Sequence, residues 1–144
     1  MWNGTLEWVT DRFLIAGSLT AGTEKQAELP GTPSYGWFAG ALWLQWLATD
    51  AWHFALRPEF FRDEDGLMTG SRQTLTAVAL TAEYQLRPST QHTTSVRLEY
   101  RFDRSTGDEG GFYEGANNQL VPEQHLLIAS VMWFFDWERQ RVGR

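Results

Sequence analysis

The segment Ser95–Asp103, Ser-Val-Arg-Leu-Glu-Tyr-Arg-Phe-Asp, alternates apolar and charged side chains without interruption from Val96 onward. A period of two predicts a β-strand whose two faces meet different environments. A soluble sandwich carries scattered polar residues on its water side, whereas this segment carries an unbroken row of charges. The pattern is typical of a transmembrane β-barrel strand, apolar toward lipid and polar toward the lumen.

Six further segments have strand-like patterns, and none predicts a long helix. The predicted strands are Trp2–Val9, Arg12–Gly22, Tyr35–Ala48, Ala51–Arg62, Arg72–Leu86, His92–Asp103 and Gln124–Trp137. Their connections alternate between short and long, as tight periplasmic turns and longer extracellular loops do. The sequence therefore predicts an all-β fold, an antiparallel transmembrane β-barrel or a segment of one, over residues 1–137, followed by a polar C-terminal tail over 138–144.

An odd number of strands is unusual, because single-chain bacterial barrels have even numbers. We therefore expect the chain to be the C-terminal part of a larger or multi-chain barrel. An unpaired first strand would leave a sheet edge in lipid, which is very costly, so further strands should pair with it. No apolar signal sequence follows Met1, and the expectation is that the numbering starts after one or that the chain is a fragment.

Composition narrows the classes of function. Mean hydropathy is -0.39 and 21% of residues are charged, and no run reaches the ~18 apolar residues of a transmembrane helix. The net charge of -6, without a basic stripe, argues against nucleic acid as a partner. The absence of cysteine excludes disulfides, thiolate metal sites and cysteine nucleophiles.

Alternation assigns a row of charged side chains to the pore lining. These residues are Glu7, Arg12, His53, Arg57, Glu59, Glu83, Arg97, Glu99, Arg101 and Asp103. Two interpretations stay open: a charged wall that filters solutes, or a salt-bridge ladder that satisfies buried charge and stiffens a narrow lumen. Five acids against four arginines predict no strong ion selectivity.

Aromatic residues sort by height along the predicted strands, which is the distribution of two interfacial girdles. Those predicted near the short turns are Trp8, Trp46, Trp52, Tyr84, Trp133, Phe135 and Trp137. Those predicted near the long loops are Tyr35, Trp37, Phe60, Tyr100 and Phe102.

Patterns for catalysis or metal binding are weak. The acidic run Asp63-Glu64-Asp65-Gly66 lacks the remaining ligands of a calcium loop, so a solvated extracellular turn is favoured. The three histidines lie near strand ends without a nucleophile motif beside them. The sequence predicts no enzymatic activity, no cofactor and no metal.

The segments Leu56–Gly66 and Val96–Ser105 share an Arg-x-Glu-aromatic-x-x-Asp theme. With the Gly- and aromatic-containing loop 111–115, they resemble the β-barrel porin type 2 (OmpL-like) family of Gram-negative bacteria over about 51–137. The resemblance implies an outer-membrane barrel that acts as a pore. The matching positions are Arg57, Glu59, Asp63, Arg97, Glu99, Arg101 and Asp103. Family members are longer, and their closing strand ends the chain on an aromatic residue, whereas 138–144 follow here.

The resulting hypothesis is a porin-like passive channel for small hydrophilic solutes or ions in the bacterial outer membrane. Its expected partners are outer-membrane lipid and further strands from the same or another chain. One alternative is a structural or plugged barrel that scaffolds a partner or completes a composite multi-chain barrel. Another is a soluble β-sandwich or lipocalin-like binder, which would bury Val96, Leu98, Tyr100 and Phe102.

Overall fold

Extended backbone dominates the chain. The computed structural model describes residues 1–25, 34–89, 92–108, 111–114 and 119–135, so that Trp137 and the tail 138–144 lie outside the described residues. The strands are β1 (Trp2–Val9), β2 (Phe13–Lys25), β3 (Ser34–Leu47), β4 (Trp52–Asp63), β5 (Gln73–Ser89), β6 (His92–Ser105), β7 (Phe112–Glu114), β8 (Gln119–Val121) and β9 (Glu123–Phe135). Within those ranges, no helix has the length and apolarity needed to cross a bilayer.

Seven of these strands form one antiparallel sheet in the order β1-β2-β3-β4-β5-β6-β9. Strands that follow each other along the chain are neighbours in the sheet. The exception is the β7–β8 hairpin, which lies between β6 and β9 in the sequence and forms a separate two-stranded sheet. Among the described residues, β1 and β9 each pair on one side, so the sheet is open. The predicted all-β antiparallel fold is confirmed, and the seven predicted strands are present with their ends shifted by up to three residues. The short hairpin was not predicted.

The strand register divides the side chains between two faces. The apolar face carries Val96, Leu98, Tyr100 and Phe102 of β6, and the charged face carries Arg97, Glu99, Arg101 and Asp103. Leu98 is 51% exposed and Tyr100 41% exposed, whereas Asp103 is only 5% exposed. A soluble sandwich would bury its apolar face and expose its charges. This sheet does the reverse, as the wall of a membrane barrel does.

The two described short turns share one design at the same end of the sheet, the short-turn end. After β1, the Thr10 hydroxyl accepts a hydrogen bond from the Phe13 N–H at 2.9 Å, and the Thr10 N–H donates to the Phe13 carbonyl. After β3, Thr49 makes the same two bonds with Trp52. Because a threonine hydroxyl can replace a backbone partner in a turn, each Thr-Asp pair closes a tight hairpin.

At the other end, the long-loop end, the loop after β4 is built around Asp63. This carboxylate is fully buried and accepts hydrogen bonds from the N–H groups of Leu67, Met68 and Thr69, at 3.1, 2.8 and 2.8 Å. The Thr69 hydroxyl donates a fourth bond at 3.0 Å. Gly66 adopts a φ of 76° within this loop, a conformation that favours glycine.

Asp63 lies beyond the apolar part of β4, because Arg62 occupies the neighbouring position on the apolar face. Burial acts to raise the pKa of the Asp63 carboxyl, but the hydrogen bonds from Thr69, Met68 and Leu67 outweigh it and hold the pKa below the ordinary value of 3.8. The prediction of a solvated turn is therefore wrong for Asp63, whose carboxylate organises the loop instead.

Candidate functional site

Four ionised side chains form a connected cluster on the charged face of β4 and β6, here called the Glu59 cluster. The Arg57 Nε lies 2.6 Å from Glu59 Oε1, and Arg101 Nη2 lies 2.9 Å from Glu59 Oε2. Arg101 also contacts Asp103 through Nε and Nη2, at 2.9 and 2.8 Å. Gln124 of β9 approaches the same Asp103 carboxylate at 3.4 Å. Two guanidinium groups and two carboxylates thus balance one another across β4, β5 and β6.

A second cluster, the Glu83 cluster, lies toward the short-turn end. Arg97 donates two hydrogen bonds to Glu83 Oε2, at 3.0 Å from Nε and 2.7 Å from Nη2. Gln85 donates to Glu83 Oε1 at 2.9 Å, and its Nε2 is 3.2 Å from the His53 Nδ1. Glu83 and Arg97 therefore form an ion pair between the neighbouring strands β5 and β6. The Glu83 carboxylate thus accepts hydrogen bonds on both of its oxygens.

The remaining predicted lining residues differ in their positions. Glu99 lies on the charged face of β6 and accepts a hydrogen bond from the Thr81 hydroxyl at 3.0 Å. Glu7 lies on the same face of β1, opposite Ala16. Arg12 was assigned to the lining, but it precedes β2 and lies in the exposed Thr10 turn, where its carbonyl accepts a bond from the Leu47 N–H.

Small side chains surround the two clusters and leave room beside them. Alanines on the charged face occur on β2 to β5: Ala16, Ala39, Ala41, Ala55, Ala77 and Ala79. A cavity of about 380 Å³ lies over the Glu59 cluster between these alanines, and Phe112 of β7 helps to line it. The loop hairpin therefore reaches the charged face, which the sequence did not indicate.

The predicted girdle residues fall on both faces of the sheet. On the apolar face lie Trp8, Trp46, Trp52, Tyr84 and Trp133 toward the short-turn end, and Phe60, Tyr100 and Phe102 toward the long-loop end. Phe135 takes a position on the same face, opposite His92. Tyr35 and Trp37 depart from the expectation, because the register places them on the charged face. Their role as interfacial anchors remains a prediction for the residues on the apolar face.

Trp37 and Phe38 are consecutive residues of β3. Because successive side chains of a strand point to opposite faces of the sheet, one ring lies on each face. Phe38 takes the apolar face and packs edge-on against Phe60, with ring centroids 5.6 Å apart. Trp37 takes the charged face and stacks on Phe61, with centroids 6.0 Å apart.

No group of three or more metal-ligating side chains comes together within the described ranges. The acidic loop after β4 uses two of its carboxylates on backbone donors: Asp63 on its own loop and Asp65 on the Gly36 N–H at 2.9 Å. The charged face thus combines ion pairs and alanines with a few large side chains, among them Trp43 and Phe61.

A comparison with protein families gives one match that spans nearly the whole chain. The family model described as "putative beta-barrel porin-2, OmpL-like" matches residues 3–135. The chain belongs to this family. Neither the search of curated proteins nor that of solved structures returned a match.

Membership in the OmpL-like porin family gives the chain a porin-like role and implies a location in a membrane. The family match begins at residue 3, so it also includes β1 from its second residue and the whole of β2 and β3, where the sequence motifs gave no specific resemblance. It agrees with the sheet, whose exposed apolar face requires a lipid or protein covering.

Proposed function

We propose that the chain forms part of the wall of an outer-membrane channel through which small hydrophilic solutes or ions diffuse passively. The observation that carries this proposal is the segregation of side chains in the sheet. The apolar face is exposed, with Leu98 51% and Leu80 51% accessible, while the charged side chains of the central strands and most of the alanines share the other face with some larger apolar side chains such as Trp43 and Ile128. Lipid is the environment that stabilises such an apolar surface, and water in a lumen is the environment that stabilises the charged one.

The short turns would then lie in the periplasm and the Asp63 loop outside the cell, since barrels of this kind have short periplasmic turns and longer extracellular loops. The alanines around the Glu59 cluster support an open lumen, because their side chains project little from the wall. Phe112 supports the alternative of a narrowed or plugged barrel, since its ring lines the cavity over that cluster.

A pair of single-cysteine variants tests the channel. The chain contains no cysteine, and Ser18 and Leu19 are neighbours on β2 that point to the charged and the apolar face. The purified protein in planar bilayers should show discrete conductance steps. In Ser18→Cys, a charged, membrane-impermeant thiol reagent should reduce those steps, because the adduct would stand in the lumen. In Leu19→Cys, the same reagent should leave them unchanged.

An absence of steps in the unmodified protein would favour the plugged barrel. Equal modification of both cysteines in vesicles would contradict the assignment of the two faces, because Leu19 is then in water. Loss of the steps only with Leu19→Cys would reverse that assignment.

We further propose that the sheet closes through an odd number of additional strands. Six successive antiparallel pairs separate β1 from β9, so these two edge strands run in the same direction. Copies of this sheet in a common orientation would bring β1 against β9 in parallel. An odd number of intervening strands restores antiparallel pairing at every contact and covers both edges, whose unpaired groups would be costly in lipid.

Disulfide cross-linking distinguishes closure through additional strands from direct contact between β1 and β9. The pair Thr5→Cys and Ser18→Cys, partners in the β1–β2 register, should oxidise readily and serves as the positive control. We expect Thr5→Cys to form no cross-link with cysteines placed in turn at Gln124, Leu126 and Ile128 on the same face of β9. A cross-link at any of these positions would establish direct β1–β9 contact and overturn the proposal.

A further inference from the structure

The charged face carries more carboxylates than guanidinium groups. Its acids among the described residues are Glu7, Glu24, Glu59, Asp63, Glu83, Glu99 and Asp103, and its arginines are Arg57, Arg97 and Arg101. The sequence had suggested a near balance of five acids and four arginines, but Arg12 lies in a turn outside the strands, and the register adds Glu24 and Asp63 to this face. Among the side chains that the structure describes, this face thus carries seven carboxylates and three guanidinium groups.

All three arginines on this face are held by carboxylates. Arg57 is paired with Glu59, and Arg101 bridges Glu59 and Asp103. Arg97 is paired with Glu83 through two nitrogen atoms. A guanidinium that already contacts a carboxylate at less than 3 Å attracts a passing anion weakly, because the field of the pair falls off faster than that of a single charge.

Glu99 has a different environment. It accepts a hydrogen bond from the neutral Thr81 hydroxyl, and no Arg, Lys or His of the described ranges lies within 4.0 Å of its carboxylate as an ion-pair partner. Its side chain is half-buried and helps to line a second cavity on the charged face, of about 250 Å³, together with Trp43, Arg57 and Arg97. Glu99 lies near the middle of β6, where it pairs with Thr81 and Ile128.

We infer that Glu99 is a specificity-determining residue of this wall and gives the channel a preference for small cations over anions. The inference rests on the proposed channel function and names the solute class of the same lumen. A carboxylate without a cationic partner raises the local concentration of cations and lowers that of anions, and acidic side chains act in this way in cation-selective pores. The excess of carboxylates elsewhere on the face acts in the same direction.

The test is the reversal potential of the purified protein in planar bilayers under a gradient of potassium chloride. The wild-type channel should pass K⁺ in preference to Cl⁻. Glu99→Gln should lower the K⁺/Cl⁻ permeability ratio by about tenfold, because one unit charge roughly 6 Å from the ion path in water favours K⁺ and disfavours Cl⁻ by about threefold each. Glu99→Asp should keep most of the preference, since it keeps the charge.

Glu123→Gln is the matched control. Glu123 lies at the long-loop end on the apolar face, where it pairs with Arg104 at 3.7 Å, so its loss should leave the ratio unchanged. A wild-type preference for Cl⁻, or an equal ratio in wild type and Glu99→Gln, would overturn the inference and leave the channel itself intact. A wild-type protein that gives no steps would overturn both.

Discussion

Replacing Leu98 by arginine should destabilise the membrane-inserted protein by about 2–4 kcal/mol, the cost of a charged side chain on the lipid face near the bilayer midplane. Leu98 lies on the apolar face near the middle of β6, where it pairs with Ala82 and Ala129. Its side chain is 51% exposed on the sheet, so the introduced arginine meets little steric conflict. The loss of stability would therefore come from placing the charged guanidinium in lipid. Urea titration of the protein folded into lipid vesicles, followed by tryptophan fluorescence, measures it.

Ile128→Arg provides the matched control. The exposed fraction of Ile128 is 45%, similar to that of Leu98, but Ile128 pairs with Glu99 on the charged face. An arginine there enters the aqueous side beside a carboxylate, and the expected change in unfolding free energy is below about 1 kcal/mol. Similar losses in the two variants would contradict the face assignment, because both side chains would then meet the same medium.

Replacing Asp63 by alanine should open the loop that follows β4. Three backbone N–H groups and one hydroxyl lose their acceptor, and we expect the free energy of loop opening to fall by about 3 kcal/mol. This corresponds to a rise of roughly a hundredfold in the amide exchange rates of Leu67, Met68 and Thr69, measured by hydrogen exchange. The neighbouring variant Glu64→Ala removes only an exposed ion pair with Arg62 and should leave those rates unchanged.

The pH dependence of amide protection provides a second test of the hydrogen bonds that Asp63 accepts. Because the folded pKa of Asp63 is lowered, its stabilisation is present above the ordinary carboxyl pKa of 3.8 and is lost as the pH falls through the lower folded value. Amide protection in the loop should persist at pH 5 and disappear only below about pH 3.8. Loss of protection above that pH, or its persistence in Asp63→Ala, would show that other contacts hold the loop.

Side-chain periodicity was sufficient to predict the sheet. The alternation in Ser95–Asp103 specifies both the strand and its two faces, and the bounds of β1 agree at both ends. Neighbouring antiparallel strands place side chains of one face in reach of each other, and Arg97 of β6 accordingly pairs with Glu83 of β5.

The structure differs from the sequence-based predictions at positions where the two-residue period of a strand gives no information. Arg12 follows a turn residue, and the Thr10 hydroxyl, rather than side-chain hydrophobicity, sets where β2 begins. Two adjacent rings, Trp37 and Phe38, fit either register of β3 equally well. Asp63 and Phe112 act through loops, whose backbone path depends on contacts with distant strands and leaves no periodic signal.

The neighbour-by-neighbour order of the sheet has a consequence for how the protein enters its membrane. Because consecutive strands are partners from β1 to β6, insertion can advance one hairpin at a time, each new strand docking on the last. At every stage of such growth, unpaired backbone groups occur only at two borders of the sheet, along the first strand and along the strand added last. An assembly factor would need to shield those two borders and nothing between them.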